Sequence, residues 1–427
     1  MHILTKAACL ALFVSSVLSG QELASVTGVV MDSTKAVLVG ANVTIRNTNT
    51  NIARSNLTNQ DGFFTITELA PGSYELTVAK PGFETYRESS IVLETGQQLR
   101  NDVQMKVGSA SETVSVVAEV APLNTENGQI KGAVIVQQEI QDMPLDGRDF
   151  TDIAFLVPGV VPGAQGGTGA MSVNGARADN TGFRLDGFDD RNARGAAAQL
   201  RPNIDALEEF RMETSGFSAK YGNVAGGIMN MTLKTGTNQL HGTVFEYMRN
   251  DVFDGRGFFD PYRLALHRNQ FGATASGPVL IPKLYNGRDK TFFLVSWESY
   301  RNTDGETRLN NVPTTLERAG NFKEDFSQIT GKPIAILNPY NNYNPFPGDV
   351  IPKSLIDPIA NNVLKWYPLP NYVAPGLNYQ ATTTAVASWD SILLKGDHRF
   401  SDRDSISVRY SYRWGAQQRG VGRKQPG

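Results

Sequence analysis

The chain has 427 residues, with 40 Lys and Arg against 42 Asp and Glu and a formal net charge of −2. This balance argues against a nucleic-acid partner, because nucleic-acid-binding domains carry strongly basic faces. Hydrophobic residues make up 40% of the chain, which is enough for packed cores and excludes wholesale disorder. The length accommodates roughly two to four domains, and 41 Gly with 21 Pro favour a turn-rich, β-rich chain.

Residues 1–20 have the three-part layout of a secretory signal peptide. Lys6 precedes an apolar run at Ala7–Leu18, and Gly20 is a small residue near a plausible cleavage point. The run is shorter than the ~20 apolar residues that a spanning helix needs, and the alternative is a buried N-terminal helix. Cys9 is the single cysteine and lies inside this segment, so we expect neither disulfides nor thiolate metal sites in the mature chain.

Residues 25–106 alternate apolar and polar side chains in short runs, as Val43 and Ile45 do. Turn dipeptides Asp61-Gly62, Pro71-Gly72 and Pro81-Gly82 separate these runs at a spacing of about ten residues. Period-two alternation with regular turns predicts a small antiparallel β-sandwich of about seven strands.

Four segments of this region carry a more specific resemblance: Gly28–Asp32, Gly40–Ile45, Thr58–Ile66 and Leu69–Val78. In this order they resemble the carboxypeptidase regulatory-like domain, which is a prealbumin-like sandwich. The resemblance implies no peptidase activity, because it covers an accessory domain and its marked residues are turn and core positions.

Residues 107–120 read as an extended linker, and their β-prone part resembles the TonB box of outer-membrane receptors. Such a segment lends its backbone hydrogen bonds to a sheet of a periplasmic energy-transducing partner. The alternative is the last strand of the sandwich followed by a tether. The candidate partner-binding residues are Thr113, Val114, Ser115, Val116, Val117 and Ala118.

Residues 121–238 are rich in Gly and Asn with short apolar runs. Val173–Arg177, Phe183–Gly187 and the closing segment Ala225–Asn238 occur in an order that resembles the plug of TonB-dependent outer-membrane receptors. The resemblance implies an α+β domain around a mixed sheet. We expect a helix at Ile204–Phe210, and we interpret the glycines as structural.

Residues 239–427 predict the first strands of an antiparallel transmembrane β-barrel. In Ser405–Trp414, apolar and aromatic side chains alternate with Ser and Arg, the pattern of a lipid face and a lumen face. The other expected strands are His241–Arg249, Asn269–Gly277, Thr291–Tyr300 and Trp389–Phe400. The connections between the five strands run long, short, long, short, and the longest is the loop 301–388, as expected for outward loops and periplasmic turns.

The segments His241–Asn250, Asp289–Phe293 and Asp397–Ser405, together with the order of sandwich, plug and barrel, resemble the Oar-like TonB-dependent transporters. The resemblance implies residence in the outer membrane, with sandwich and plug on the periplasmic side. It implies as partners the TonB energy-transducing complex, outer-membrane lipid and an unknown extracellular ligand. Such barrels close with about 22 strands and about five fit here, so we expect a C-terminally truncated chain.

A search for chemistry yields no catalytic residue, metal site or cofactor site. Asp186, Asp189 and Asp190 cluster near Arg184 and Arg191. A calcium site or an acid–base pair is conceivable there, and a solvated turn or a plug–barrel salt-bridge network is the favoured interpretation.

The longest loop carries six aromatic residues: Tyr340, Tyr343, Phe346, Trp366, Tyr367 and Tyr372. They would stack on a ligand ring or pack the loop against itself, and we favour the second. The leading hypothesis is a TonB-dependent transporter that is not an enzyme. The alternative is a cell-surface adhesion or glycan- and matrix-binding protein, and a secreted enzyme is disfavoured by the missing catalytic residues.

Overall fold

The computed structural model describes residues 23–108, 113–117, 131–136, 140, 143, 145–163, 169–192, 197–217, 221–222, 224–258, 260, 263–325, 333–373, 376–401 and 404–419. The expected signal peptide, residues 1–20, lies outside this part of the chain. Two compact units are present. One takes in the sandwich, the plug region and the sheet segments Gly272–Glu298 and Ser391–Arg413, and the other takes in Glu246–Phe271 and Ser299–Asp390.

The N-terminal domain is a sandwich of two sheets. The four-stranded sheet contains β1 (Ala24–Asp32), β4 (Phe63–Leu69), β7 (Gln98–Arg100) and β8 (Val103–Met105). The five-stranded sheet contains, in spatial order, β3 (Ala53–Leu57), β2 (Asn42–Asn47), β5 (Gly72–Ala79), β6 (Thr85–Leu93) and β9 (Thr113–Val117).

Alternating burial along these strands forms the sandwich core. Val26, Val43 and Leu76 are fully buried, and they belong to one continuous apolar cluster between the sheets. Burying a side chain of this size contributes about 1.5–3 kcal/mol each. Gly62 and Gly82 adopt positive φ angles of 67° and 88°, so two of the three predicted turns use a conformation that favours glycine.

The predicted sandwich is confirmed, with a correction to its strand directions. β7 and β8 both pair in parallel with β1, so the sheet is not antiparallel throughout. They form one strand interrupted at Asn101. The carbonyl oxygen of Asn101 lies 1.8 Å from the position that a Cβ added to Gly28 would occupy. Counted as one, β7 and β8 bring the strands of residues 25–106 to the seven expected.

The plug region is built on a mixed sheet in the order β10-β15-β16-β13-β14. Its strands are β10 (Lys131–Val136), β13 (Gly182–Leu185), β14 (Phe188–Asp189), β15 (Leu207–Ser215) and β16 (Ile228–Leu233), with the hairpin β11 (Val160–Pro162) and β12 (Met171–Val173) beside them. β13 and β16 pair in parallel and the other neighbours are antiparallel. Among its described residues, this region also has 3-10 helices at Asp146–Arg148, Phe150–Leu156, Ala178–Asn180 and Ile204–Ala206.

The helix expected at Ile204–Phe210 is wrong. Only Ile204–Ala206 is helical, and the chain then enters β15, which has strands on both sides. Leu207, Phe210 and Met212 are fully buried because a central strand is covered on both faces. In the sequence, Ile204, Leu207 and Phe210 recur every three residues, which resembles the spacing of a helix face.

The C-terminal region forms one sheet in the order β17-β18-β21-β22-β23. Its elements are β17 (His241–Asn250), β18 (Leu266–Pro278), the hairpin β19 (Leu280–Ile281) and β20 (Tyr285–Asn286), β21 (Thr291–Asn310), β22 (Tyr379–Arg399) and β23 (Ser405–Arg419). The third connection carries α1 (Thr315–Arg318) and α2 (Pro358–Leu364). Three short 3-10 helices also lie in this region, at Asp251–Phe253, Pro347–Asp349 and Lys353–Leu355.

All five strands expected after residue 239 are confirmed, but two are about twice the expected length. β21 has 20 residues and β22 has 21, so the loop expected at 301–388 is shorter and runs from 311 to 378. The added part of β21, Arg301–Asn310, is polar and lacks the alternation by which a strand in lipid is recognised.

β23 shows the two-faced pattern of a strand in a membrane barrel. Val408, Tyr410 and Tyr412 are 53–59% exposed, whereas the side chain of Arg409 between them is 18% exposed. Around Arg409, the apolar side chains therefore point outward and the arginine points toward the protein. No helix among the described residues is long and apolar enough to cross a membrane.

Two residues of the barrel sheet complete the core of the plug. Leu294 of β21 and Leu393 of β22 are 2% and 5% exposed and belong to the same apolar cluster as Phe183 and Phe210 of the plug. The plug therefore packs directly against the inner face of these strands.

Candidate functional site: the coupling segment and the plug contacts

The TonB-box-like segment forms the edge strand of the sandwich. β9 pairs in parallel with β6, with Thr85 opposite Thr113, Arg87 opposite Ser115 and Ser89 opposite Val117. Ala118, the last residue of the proposed segment, lies outside the described residues. This arrangement places the segment as the last strand of the sandwich, the alternative that the sequence left open.

Backbone contacts of the residues just before β9 hold the chain at this edge of the sheet. Phe83 and Val107 form a β-bridge, and Glu84 donates its backbone N–H to the carbonyl of Lys106 at 2.9 Å. The ladder ends at Ser89, and the next residue, Ser90, has a φ of 66° at a bulge in the pairing with β5. A bulge of this kind twists a strand and terminates regular pairing.

A two-residue hairpin carries the central acidic residue of the plug. Arg184 pairs with Asp189 and Leu185 with Phe188, which leaves Asp186 and Gly187 as the turn. Both have positive φ, 49° and 82°, the conformation of the turn that favours Asp-Gly. The local sequence therefore fixes where the carboxylate of Asp186 projects.

Asp186 joins the plug to the barrel sheet. Its Oδ2 lies 3.6 Å from Lys395 Nζ of β22 and 3.4 Å from Arg409 Nη1 of β23. Its Oδ1 accepts a hydrogen bond from the Leu233 backbone N–H at 2.9 Å. The side chains of Asp186 and Lys395 are 5% and 0% exposed, so removal of the Asp186 charge would leave the Lys395 ammonium buried without this carboxylate.

The other two aspartates of the cluster have different environments. Asp189 is exposed and faces Arg191 at 4.0 Å. Asp190 is 6% exposed, and its Oδ1 accepts the Leu200 N–H at 3.0 Å. Burial raises the pKa of Asp190 to about 7, against the opposing effect of that hydrogen bond and of Arg409.

These aspartates form no cluster that would hold a metal. In the described part of the chain, no group of three His, Cys, Asp or Glu residues is placed to ligate an ion. Of the two favoured interpretations, a solvated turn and a plug–barrel salt-bridge network, the network is present at Asp186, whereas Asp189 is exposed.

The sandwich contacts the plug through the turn before β7. Thr95 donates its backbone N–H to Glu209 Oε1 at 2.6 Å, and its hydroxyl lies 2.7 Å from that of Thr232. Arg211 Nη1 lies 3.4 Å from the Thr95 carbonyl. Burial raises the pKa of Glu209, and the hydrogen bonds to Thr95 act against this shift. A water-sized cavity of about 20 Å³ adjoins this contact and reaches Asp186.

A second contact joins the sandwich to the short connections of the barrel sheet. The amide of Asn51 donates to Asp289 Oδ1 at 3.2 Å, and Asn238 donates its backbone N–H to the carbonyl of Asn49 at 3.0 Å. Arg399, at the end of β22, donates to the carbonyl of Ala53 at 3.0 Å. The sandwich therefore lies at the end of the sheet that carries the short turns.

The six loop aromatics are not equivalent. Tyr340 and Trp366 are 84% exposed, Tyr343 and Tyr367 are also exposed, and Tyr372 is half-buried. Phe346 is 7% exposed, so the structure does not offer it to a ligand, and it packs within the loop.

An open cavity of about 350 Å³ lies elsewhere in the same connection. It is lined by Asn311, Val312, Pro313, Glu317, Phe322, Leu364 and Asn378, and none of the six aromatics is among these described lining residues. Two of its polar side chains are already engaged, because Asn378 bonds both backbone groups of Val312 and Glu317 accepts the Thr314 N–H.

Sequence reasoning missed Lys395, Thr95 and Glu209. A signal for Lys395 was present, since it shares the inward register of Leu393 while Leu394 points outward. Nothing in the sequence around Thr95 marks it as a contact, because its partners lie more than a hundred residues away.

Two family models match the chain. An outer membrane β-barrel domain matches residues 232–424, and a carboxypeptidase regulatory-like domain matches residues 25–106. The first begins within β16, and the second covers the sandwich without β9.

Two curated relatives are TonB-dependent proteins. The TonB-dependent transporter Oar of Myxococcus xanthus is 27% identical over 246 residues, which is 54% of this chain and 23% of the relative. The probable TonB-dependent siderophore receptor PirA of Acinetobacter baumannii is 25% identical over 232 residues, which is 47% of this chain and 29% of the relative. The matches thus span about a quarter of the length of these relatives.

Among solved structures, the siderophore receptor PirA from Pseudomonas aeruginosa aligns with 68% of this chain and 41% of its own, at 14% identity and a TM-score of 0.32. The two domain matches and the two curated relatives carry the assignment. These similarities support a TonB-dependent receptor of the outer membrane.

Proposed function

We propose that this protein binds an extracellular ligand and imports it when a periplasmic TonB partner pulls on Thr113–Ala118 and displaces the plug. The observation that carries the proposal is the connectivity of an extended strand to the plug. β9 is followed in sequence by residues 118–130 and then by β10, the edge strand of the plug sheet. Tension on Thr113–Ala118 would therefore act first on β10, which pairs only with β15 in the described part of the plug sheet.

The attachment of the plug supports this mechanism. Apolar packing at Leu294 and Leu393 holds the plug sheet to the barrel strands, and one ionic cluster at Asp186 adds to it. Ionic contacts break and re-form without a change in covalent structure, so a plug held in this way is displaceable by a pull. The work comes from the partner, and the mechanism uses no catalytic residue of this chain.

The ligand face in this proposal is the connection 311–378. Trp366 and Tyr340 present aromatic rings of 84% exposure, which is unusual for residues that normally bury most of their surface. Aromatic faces at this exposure suit ligands that carry sugar rings or planar groups, the chemistry with which such rings stack.

The test is capture of the purified periplasmic domain of the host's TonB protein by the detergent-solubilised receptor. Deletion of Thr113–Ala118 is expected to abolish capture and to leave the β-sheet circular dichroism spectrum of the receptor unchanged. A matched control deletes six residues of the exposed connection, Asn338–Tyr343. Capture that survives deletion of Thr113–Ala118 would refute the assignment of the coupling segment.

A further inference from the structure

The connection 311–378 is held in a defined shape by hydrogen bonds between its distant parts. Asn378 ties the two ends of the connection together, because its side-chain amide bonds the backbone N–H and the carbonyl of Val312, each at 2.8 Å. Arg318 ties the two helices together, because its guanidinium in α1 donates to the carbonyl of Leu364 in α2 at 2.6 Å. The walls of the open cavity in this connection are therefore fixed without a ligand.

This cavity has the size and the lining of a site for a small molecule. Its volume of about 350 Å³ lies within the range of ligand pockets. Val312, Pro313, Phe322 and Leu364 supply apolar walls. Glu317 is the one charged side chain among the described lining residues. Apolar walls with a single anionic group suit a ligand that carries an apolar body and one cationic group.

The carboxylate of Glu317 has room for such a cation. Its Oε2 accepts the Thr314 N–H in a capping box, and a carboxylate has about four acceptor positions in all. The next residue, Arg318, does not neutralise it, because its guanidinium donates to four backbone carbonyls instead. Within the described part of this connection, Glu317 forms no ion pair with a Lys, Arg or His residue.

The neighbouring acidic residues add to the negative charge at Glu317. Asp325 is hydrogen-bonded to the Glu317 side chain, and Glu324 acts on Asp325 electrostatically. Desolvation raises the pKa of Asp325, and the carboxylates of Glu317 and Glu324 raise it further. Carboxyl groups that retain a proton because of one another lack a compensating positive charge, which a cationic ligand supplies.

We propose that this cavity binds a small organic amine, whose protonated nitrogen pairs with Glu317 while its apolar body lies against Phe322 and Leu364. The inference rests on the proposed function, because it names the chemistry of a ligand for the same connection. A neutral molecule of the same shape fills the apolar walls but leaves the carboxylate without a cation. The cavity therefore selects the charged ligand over its neutral analogue.

The test is calorimetric titration of the full chain in detergent with 2-phenylethylammonium. The matched neutral probe is 2-phenylethanol, which has a similar apolar body and no charge. The amine is expected to bind about tenfold more tightly than the alcohol, the ratio that one charge-assisted hydrogen bond supplies. Equal affinities for the two probes, or no binding of the amine at concentrations on the order of millimolar, would overturn the inference.

Glu317→Gln removes the charge and keeps the local fold. A glutamine still accepts the Thr314 N–H and completes the capping box, so α1 stays formed. This variant is expected to bind the amine about tenfold more weakly and the alcohol as before. The control is Glu306→Gln, which removes an exposed carboxylate of β21 outside the described lining and should change neither affinity. Unchanged amine affinity in Glu317→Gln would refute the inference.

Asn311→Asp tests the same charge in the opposite direction. Asn311 is exposed and lines the cavity, so the substitution adds a carboxylate of nearly the same shape. Amine affinity should rise about threefold, the size of an exposed ionic contact. An equal or lower affinity of this variant for the amine would contradict the proposed site.

Failure of this inference is distinguishable from failure of the proposed function. Titration with the amine requires no periplasmic partner, and capture of the TonB domain requires no amine. Normal capture together with equal binding of amine and alcohol refutes the amine site alone. Selective amine binding together with capture that survives deletion of Thr113–Ala118 supports the amine site and refutes the coupling segment.

Discussion

Asp186 combines a turn conformation with charge pairing. Its positive φ suits Asp, Asn and Gly, and its carboxylate faces Lys395 and Arg409 while accepting the Leu233 N–H. Asp186→Asn keeps the turn and an oxygen for Leu233, so it removes only the negative charge. The variant therefore separates electrostatic attachment from local folding.

We expect Asp186→Asn to loosen the plug at this hairpin. Breaking a buried ion pair costs about 3 kcal/mol, roughly a hundredfold in a local opening equilibrium. Hydrogen–deuterium exchange of the peptides covering 182–189 and 228–233 should accelerate accordingly. Asp189→Asn is the control, because Asp189 is exposed and faces Arg191 at 4.0 Å, and it should change exchange by less than about tenfold. Equal effects of the two variants would contradict the attachment role of Asp186.

The raised pKa of Asp190 predicts that the stability of the plug depends on pH. Burial raises its pKa from 3.8 to about 7, so the folded form binds a proton more readily than the unfolded form. Between pH 4 and 7 the folded plug therefore loses stability as the pH rises, by up to about 4 kcal/mol in this group's contribution. Asp190→Asn preserves the acceptor for the Leu200 N–H and should flatten this dependence. Exchange of residues 183–192 measured at pH 5 and pH 7.5 provides the check, and an unchanged slope in the variant would refute the assignment.

At the scale of elements, the sequence predicted those strands and turns whose burial and backbone conformation follow from the local pattern of residues. The alternation of β23 and the turn glycines Gly62 and Gly82 require no knowledge of distant residues. β15 was misassigned because Ile204, Leu207 and Phe210 recur every three residues, as on a helix face, and because its buried positions also include charged residues such as Glu213. The polar extension Arg301–Asn310 was missed because its sequence shows no alternation of apolar and polar residues.

Contacts between elements were the least predictable part of the site. Asp186 was noticed as one of a charged cluster, but its partner Lys395 follows only once the barrel sheet brings β22 against the plug. The pairing of β9 with β6 was likewise left open, since a run of Val, Ser and Thr fits a sandwich edge and a partner sheet equally well.

The turn at Thr95 yields a prediction about how the sandwich is held. Thr95→Val keeps the backbone bond to Glu209 and removes the hydroxyl that meets Thr232, leaving a buried hydroxyl on Thr232 without that partner. The expected cost is about 1–2 kcal/mol. Amide exchange of residues 94–97 should accelerate, whereas the control Thr34→Val, which loses an exposed hydrogen bond to Asp32, should leave these amides unchanged. No change at residues 94–97 in Thr95→Val would show that the hydroxyl contact does not hold the sandwich.

For the whole molecule, the contacts of the sandwich indicate which end of the barrel strands it occupies. Asp289 and Arg399 belong to the ends of the strands joined by the short connections, and both bind the Asn51–Ala53 region. In outer-membrane barrels, short turns face the periplasm and long loops face outward. In chain order, the connection 311–378 follows β21 and precedes β22.

A labelling experiment in intact cells tests this orientation. Trp366→Cys places a thiol on the long connection, and Gln60→Cys places one on an exposed turn of the sandwich. A maleimide carried on a polyethylene glycol too large to cross the outer membrane should label Trp366→Cys in intact cells. It should label Gln60→Cys only after the outer membrane is permeabilised, because the sandwich then becomes reachable. Labelling of both variants in intact cells would show that the sandwich lies outside the cell. That result would favour a surface-binding protein over an importer that binds a periplasmic partner.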